Sequence, residues 1–278
     1  MSPALFTAEV FGLSLVAGLL GSMLGLGGGI IVVPGLTLLL GVDIRFAIGA
    51  SIVSVIATSS GAAASYVRER MTNLRVAMFL ELATTTGAIS GAFLAGLISV
   101  RWLYVIFGVL MGYSALAMFR KRHELAGDDV ATSALSDRLA LHGSYFDEAA
   151  GREVGYRVAA PVRGLGLMYA AGTVSGLLGI GSGALKVPAM DLAMRLPIKV
   201  STATSNFMIG VTAAASAGIY FARGDINPFI AAPVAAGVLI GATAGSKLLG
   251  RVHSSTIRAL FVVVLVAVSL QMLLKGIR

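Results

Sequence analysis

Cysteine is absent from the chain, which excludes disulfides, thiol catalysis and thiolate metal sites. Charge is scarce as well: Asp, Glu, Lys and Arg make up 12% of the 278 residues, about half the share found in soluble domains. The three histidines, His123, His142 and His253, all fall in polar stretches, so no metal site is expected. Long alternation of polar and apolar residues is missing, and with it the signature of a membrane β-barrel. Nucleotide-binding motifs are missing too. The nearest match, Gly25-Leu-Gly-Gly-Gly-Ile30, has isoleucine at the third glycine position of Gly-x-Gly-x-x-Gly and no strand before it. No cofactor is expected.

What the chain does contain is apolar sequence. Hydrophobic residues make up 57%, and the mean hydropathy of +0.90 lies outside the soluble range. Runs of about 20 apolar residues are long enough, at roughly 1.5 Å per residue, to cross a hydrocarbon layer of about 30 Å. Thirty-five glycines suit helices that pack closely through small residues. The formal charge of +8 sits in short Lys/Arg clusters between apolar runs, a positive-inside pattern rather than a nucleic-acid surface. The first apolar run lacks a basic leader and an Ala-x-Ala site, so it is read as a retained helix. These features describe an all-α, multi-pass protein of the cell (plasma or inner) membrane, with the lipid bilayer as its partner and no nucleic acid.

In order, apolar segments are expected at 6–24, 30–42, 46–67, 76–100 and 103–119, and then at 162–179, 184–196, 198–221, 228–249 and 256–274. Trp102 and Tyr104 mark a membrane interface. Three regions follow: a first membrane repeat (1–119), a water-exposed connector (120–160) and a second membrane repeat (161–278). Within the connector, Leu139–Phe146, a turn at 147–151 and Arg152–Val158 read as a β-hairpin.

The two membrane regions are copies of one another. Gly18–Pro34 and Gly172–Pro188, separated by a shift of 154 residues, are identical at seven of seventeen positions. At the same shift Ser51 pairs with Ser205, Thr58 with Thr212, Tyr66 with Tyr220, Asn73 with Asn227, and Gly87, Gly91 and Gly96 with Gly241, Gly245 and Gly250. This is an internal duplication. Charge gives the direction of each copy. Arg68, Arg70 and Arg75 follow the third segment of the first copy, whereas Lys247, Arg251 and Arg258 follow the fourth segment of the second. With basic loops held in the cytoplasm, the copies are inverted, the connector is cytoplasmic and both termini lie outside; Lys275 and Arg278 run against that bias. Parity allows two arrangements. The first two segments of each copy either both cross, giving ten spans, or form a re-entrant hairpin, giving six.

Each copy breaks its first helix in the same place, at Gly25-Leu-Gly-Gly-Gly-Ile-Ile-Val-Val-Pro34 and Gly179-Ile-Gly-Ser-Gly-Ala-Leu-Lys-Val-Pro188. Unpaired backbone groups cost several kcal/mol in lipid, so such breaks survive only where they line a protein-enclosed cavity. In inverted-repeat transporters, discontinuous helices meet near the midplane with their positive N-terminal ends toward an anion. The candidate substrate-binding residues are therefore Gly27, Gly28 and Gly29 in one break and Gly181, Ser182 and Gly183 in the other, with the hydroxyls and amide of Ser51, Ser205 and Asn206. Helix packing is the competing role for these glycines and hydroxyls, and it is the favoured role for Gly87/Gly91 and Gly241/Gly245. Lys186 replaces Val32 of the first copy three residues past the break. Its ammonium either holds an anion, pairs with Glu81 or Asp191, or snorkels to the interface. Glu81 is a candidate coupling group, with an interface position near Arg75 as its alternative.

These motifs, together with Thr204-Ser-Asn-Phe207 and Ile209-Gly-Val-Thr212, make the chain resemble the TauE/SafE (TSUP) family of sulfite and organosulfonate transporters over nearly its whole length. That resemblance implies movement of a small sulfur-containing anion, such as sulfite, a sulfonate (sulfoacetate or a taurine-derived compound) or thiosulfate. Ser182 and Lys186 stand where the family often has glycine and an apolar residue. Alternating access around the paired breaks is the expected mechanism, and a homo-oligomer is compatible with it. A passive anion channel and a membrane scaffold or assembly protein are the alternatives. No enzyme activity is expected, because a hydrolase built on Ser182 would need a base at membrane depth and no histidine falls in an expected span.

Overall fold

A computed structural model describes residues 3–120, 132–179, 181–249 and 251–277. The first copy folds as α1 (Pro3–Leu24), α2 (Gly29–Pro34), α3 (Ile44–Arg68), α4 (Leu74–Ala95) and α5 (Val100–Arg120). The connector contributes α6 (Ala134–Arg138), β1 (Gly143–Asp147) and β2 (Arg152–Tyr156). The second copy repeats the order as α7 (Pro161–Leu178), α8 (Gly183–Pro188), α9 (Ile198–Ala222), α10 (Pro228–Leu249) and α11 (Ser254–Ile277). Both α2 and α8 continue past their terminal proline as one π-helical turn, Gly35–Leu39 and Ala189–Ala193. Among the described residues six helices, α1, α3, α4, α9, α10 and α11, are long and apolar enough to cross a membrane.

Local chemistry sets the helix boundaries. Asp43 caps α3 by accepting from the Arg45 amide, Asn73 caps α4 by accepting from the Val76 amide, and Pro161 opens α7. Where α1 and α7 stop, the chain reverses through left-handed residues: Gly25 and Gly27 in the first copy, Gly179, Gly181 and Ser182 in the second. Glycine adopts that conformation at no steric cost, whereas Ser182, at φ 56°, carries a side chain through it. After the reversal α2 runs back along α1, bringing Gly35 against Leu13, and Gly164 of α7 lies against Met194 beyond α8. Each copy thus begins with a helical hairpin whose short second arm folds back on the first.

Contacts between the copies are reciprocal at the 154-residue shift. α1 lies parallel to α10, with Gly237, Gly241 and Gly245 against the backbone of Phe11, Leu15 and Leu19. α7 lies parallel to α4 in the same way, with Gly87 and Gly91 against Tyr169 and Thr173, and Gly176 against Ala88. These glycines let two backbones touch, the packing role expected for them. Equivalent helices run antiparallel. α3 meets α9 with Gly49 at Asp225 and Ser59 at Gly210, and α5 meets α11 with Gly108 at Leu273 and Gly112 at Ser269. Two copies related in this way have their equivalent helices pointing in opposite directions.

The connector sits at one end of the bundle. Its strands pair antiparallel from Gly143↔Tyr156 to Asp147↔Arg152; they are shorter than the sequence pattern suggests because Ala134–Arg138 forms a helical turn and Leu139–His142 is irregular. The Asn73 side chain donates to the Leu141 carbonyl and the Tyr156 hydroxyl, at 2.7 and 3.0 Å, and Arg75 donates to the Ala140 carbonyl. Leu141, Tyr145, Tyr156 and Val158 are buried against Val76, Leu80, Met168 and Met194. Arg251 pairs with Glu148 here, so Arg75 and Arg251, basic residues from both copies, gather at the connector end. At the other end Lys275, half-buried, donates to the Thr37 carbonyl on the π-helical turn and lies over the Tyr104 ring.

A buried ion pair fastens the connector: the Lys199 ammonium donates to Asp147 Oδ1 at 2.7 Å. Burial raises the Asp147 pKa, but the hydrogen bonds from Lys199, the Ala150 amide and Tyr145 outweigh it and hold the carboxyl below its ordinary 3.8. A depressed pKa contributes stability that is fully present above the unfolded value and is lost as pH falls through the folded value. Docking of the connector should therefore persist at neutral pH and weaken only below pH 3.8, as proteolysis within 132–160 would show. Asp147→Asn should already expose those sites at neutral pH and cost about 2 kcal/mol, because it removes the charge-assisted hydrogen bond that ties the connector turn to Lys199. For the helix contacts, Gly91→Ala places a methyl on the Thr173 carbonyl and should cost about 2 kcal/mol in thermal unfolding. Gly166→Ala, with open space around it, should be neutral or stabilising by about 1 kcal/mol.

Candidate functional site

The hairpin tips cross between α3 and α9. Gly183 packs against the Gly25 carbonyl and Leu26, Gly27 against Ile209 and Val55, and Gly181 against Val55. Gly25 also meets the backbone of Thr202, and Gly179 meets Ile48. No side chain fits between these surfaces, which is why both breaks are glycine-rich. Gly27, Gly28, Gly29, Gly181, Ser182 and Gly183 are all buried at this crossing.

Reversing a helix leaves carbonyls without intrahelical partners. Side chains of α3 and α9 supply them, some from the opposite copy and some from the same one. Ser51 donates to the Gly179 carbonyl and Ser205 to the Gly25 carbonyl, each at 2.7 Å. Tyr66 donates to the Ser22 carbonyl at 3.0 Å within the first copy, and Tyr220 to the Gly176 carbonyl at 2.7 Å within the second. The Asn206 amide nitrogen donates to the Ser22 carbonyl at 2.6 Å, while its Oδ1 is buried with no partner. The two serines, expected to face a ligand or pack helices, hold the opposite hairpin, and Asn206 keeps an unused acceptor.

At the new helix starts the copies differ. In the first, the Gly28 amide donates to Thr58 Oγ1 at 3.1 Å. In the second, the equivalent Thr212 hydroxyl belongs to a charged cluster. Lys186, fully buried, donates to Thr212 Oγ1 at 2.6 Å, and its Nζ lies 3.7 Å from Glu81 Oε2. Thr212 and Thr85 donate to Glu81 Oε1 at 2.6 and 3.1 Å. Oε2 makes no hydrogen bond. Of the three roles open to Lys186, ion pairing is the one this arrangement contains, and the partner is Glu81; Asp191 is buried separately on the π-helical turn after α8. Ser182 turns its hydroxyl back onto the Gly181 carbonyl. At the positions equivalent to Lys186 and Glu81, the other copy has Val32 and Ala235.

Glu81 lies deeper than its distance from Arg75 suggests. The Asn73 amide donates to Thr204 Oγ1, inside α9 rather than at its end. α4 therefore starts recessed beneath the connector, and seven residues later Glu81 is level with Thr212, halfway along α9. An ion pair at such depth is costly unless it is hydrogen-bonded, and two threonines supply that. The sequence points to Lys186, to Glu81 as one of its two candidate acids and to the register pair Thr58/Thr212, but not to Thr212 as the link between the two charges. Two further groups escaped the sequence pattern: the Lys199–Asp147 pair, and a cavity of about 290 Å³ at the end away from the connector, lined by Arg45, Ile48, Leu177, Tyr220, Arg223 and Asp225. Among the described residues no group of three or more His, Cys, Asp or Glu is placed to hold a metal.

Comparison with known proteins agrees with this architecture. The profile of the family described as sulfite exporter TauE/SafE matches residues 10–272. A probable membrane transporter protein of Bacillus subtilis, YunE, is 28% identical over 272 residues, which cover 95% of this chain and 96% of that one. A probable membrane transporter protein of Xylella fastidiosa is 27% identical over 266 residues, 93% of each chain. No solved structure matches. A match spanning both hairpins, the connector and the helices that hold them settles the relationship: the chain belongs to the TauE/SafE family and is a multi-pass membrane transporter.

Proposed function

We propose that this transporter carries a small sulfur-containing oxyanion, such as sulfite, a sulfonate or thiosulfate, by alternating access around the crossed hairpins, and that Lys186 is the group that reads its charge. The observation carrying the reading is the Lys186–Thr212–Glu81 cluster, a buried cation halfway along the central helices whose carboxylate partner stands beyond hydrogen-bond distance. An ammonium has three N–H donors. Thr212 takes one and Glu81 supplies charge without closing the bond, so an oxyanion beside α8 gains a charge-assisted hydrogen bond. The family supplies the substrate class; the structure supplies a cation of the right sign.

Glu81 and the anion are rivals for one ammonium. A proton on Glu81 removes the rival, so anion and proton bind together in this geometry, and co-movement of the two follows. The antiparallel running of α3 with α9 and of α5 with α11 supports an inverted repeat, the architecture in which one half rocks against the other. Gathering of Arg75 and Arg251 at the connector supports a cytoplasmic connector.

Counterflow of sulfite, sulfoacetate and thiosulfate in proteoliposomes tests the reading, and saturable exchange separates a carrier from a passive channel. Lys186→Met should weaken anion binding about tenfold to a hundredfold, the 1.5–3 kcal/mol of a charge-assisted hydrogen bond. Because that change leaves a buried carboxylate, the double variant Lys186→Met/Glu81→Gln provides the folded control; unchanged binding in it removes the lysine from the site. Glu81→Gln alone should keep anion binding and flatten the pH dependence of transport. A retained pH dependence would move coupling to another group.

A further inference from the structure

The cavity away from the connector stands outside the site just described. Its walls are the first turn of α3, the end of α4, the end of α7 and the α9–α10 turn. Arg45 projects from that first turn, is exposed, and has no hydrogen-bond or ion-pair partner for its guanidinium among the described residues. Arg223 is anchored instead: its Nε pairs with Asp225 at 2.9 Å, a terminal nitrogen donates to the Ala92 carbonyl at 3.1 Å, and the guanidinium lies 4.3 Å over the Tyr220 ring. With Asp225 offsetting one of the two arginines, the cavity holds one uncompensated positive charge. About 290 Å³ is the space of roughly ten waters, enough for a small oxyanion that keeps part of its hydration.

The cavity leads to the second break. Its floor includes Ile48, which touches Gly179, and Leu177, whose carbonyl accepts from Tyr220. At the opposite end of the molecule, the 154-residue shift turns Arg45 into Lys199 and Tyr220 into Tyr66. There the cation is occupied by an oxyanion of the protein's own, the Asp147 carboxylate at 2.7 Å, with Glu148 beside it on Arg251. The duplicated scaffold thus presents one cation at each end, and the connector, present only once, covers one of them with a carboxylate.

We propose that the Arg45–Arg223 cavity is a second, weaker binding site for a small oxyanion, which collects the transported anion at the mouth of the second hairpin. This rests on the transport reading above, and the two are separable by experiment. A lipid headgroup phosphate shares the chemistry, so the test distinguishes it from a free anion. Equilibrium binding of radiolabelled sulfite to the purified full-length chain, at low ionic strength in detergent free of phospholipid, should resolve two classes of site. Arg45→Gln should weaken the lower-affinity class by about fivefold, with Arg45→Lys restoring it and added salt reducing the difference. Lys186→Met should weaken the tighter class and spare the other. An Arg45→Gln isotherm identical to that of the wild type, or no sulfite binding at all, overturns the cavity proposal. So does displacement of the weaker class by added phosphatidylglycerol, which would make the occupant a lipid. Loss of binding in Arg45→Gln together with unchanged binding in Lys186→Met supports the cavity and overturns the Lys186 site.

Discussion

A helix that reverses inside a bilayer must find partners for the backbone groups it gives up, and the fold is arranged around that requirement. Water is not there to help. Four hydroxyls meet it: Ser51 and Ser205 reach across to the opposite hairpin, and Tyr66 and Tyr220 close the end of the hairpin in their own copy. All four sit on α3 or α9, which explains why those helices form the centre and run antiparallel. The glycines do the complementary work. They clear the space in which Gly183 and Gly25 meet backbone to backbone, and in which α1 and α7 approach α10 and α4. Hydroxyls without the glycines could not reach, and glycines without the hydroxyls would leave carbonyls unpaired.

Duplication makes the scaffold symmetric, and a few side chains break the symmetry. Lys186 and Glu81 correspond to Val32 and Ala235 in the other copy, so only one of two similar helix starts carries charge. Thr58 and Thr212 show the consequence. The first accepts from the Gly28 amide and completes a backbone turn; the second links an ammonium to a carboxylate. The connector breaks the symmetry again at the ends, where Lys199 is covered and Arg45 is open. A carrier whose halves were identical would treat its two sides alike. In the proposal above, these substitutions are what give this one a preferred end for collecting an anion and a single place to read its charge.

Much of this was legible in the sequence because it depends on register. The shift of 154 residues, the two breaks, the packing glycines and the serine pair all follow from aligning the chain with itself. The close folding of α2 back on α1 and of α8 back on α7 needed the structure, since the sequence shows the break but not the angle at which the chain leaves it. Depth was the least legible quantity. Counting from Arg75 puts Glu81 near an interface, but the α3–α4 turn is drawn inward by Asn73 and covered by the connector, which carries Glu81 to the level of Thr212. For the same reason Lys186 kept three roles in the sequence, whereas the fold sets it beside Thr212 and Glu81. Lys199 lies two residues after Pro197, at the start of a hydrophobic segment; its carboxylate comes from a connector turn 52 residues earlier, a pairing that no local pattern encodes.

The account turns on whether the buried ammonium faces the transported anion. A structure with selenite bound, a heavier analogue of sulfite whose anomalous scattering locates it without ambiguity, tests this most directly. The expected result is a peak within hydrogen-bond distance of Lys186 Nζ, beside the start of α8. A transported anion whose peak lies away from Lys186, with the Lys186–Glu81 pair undisturbed, would contradict it.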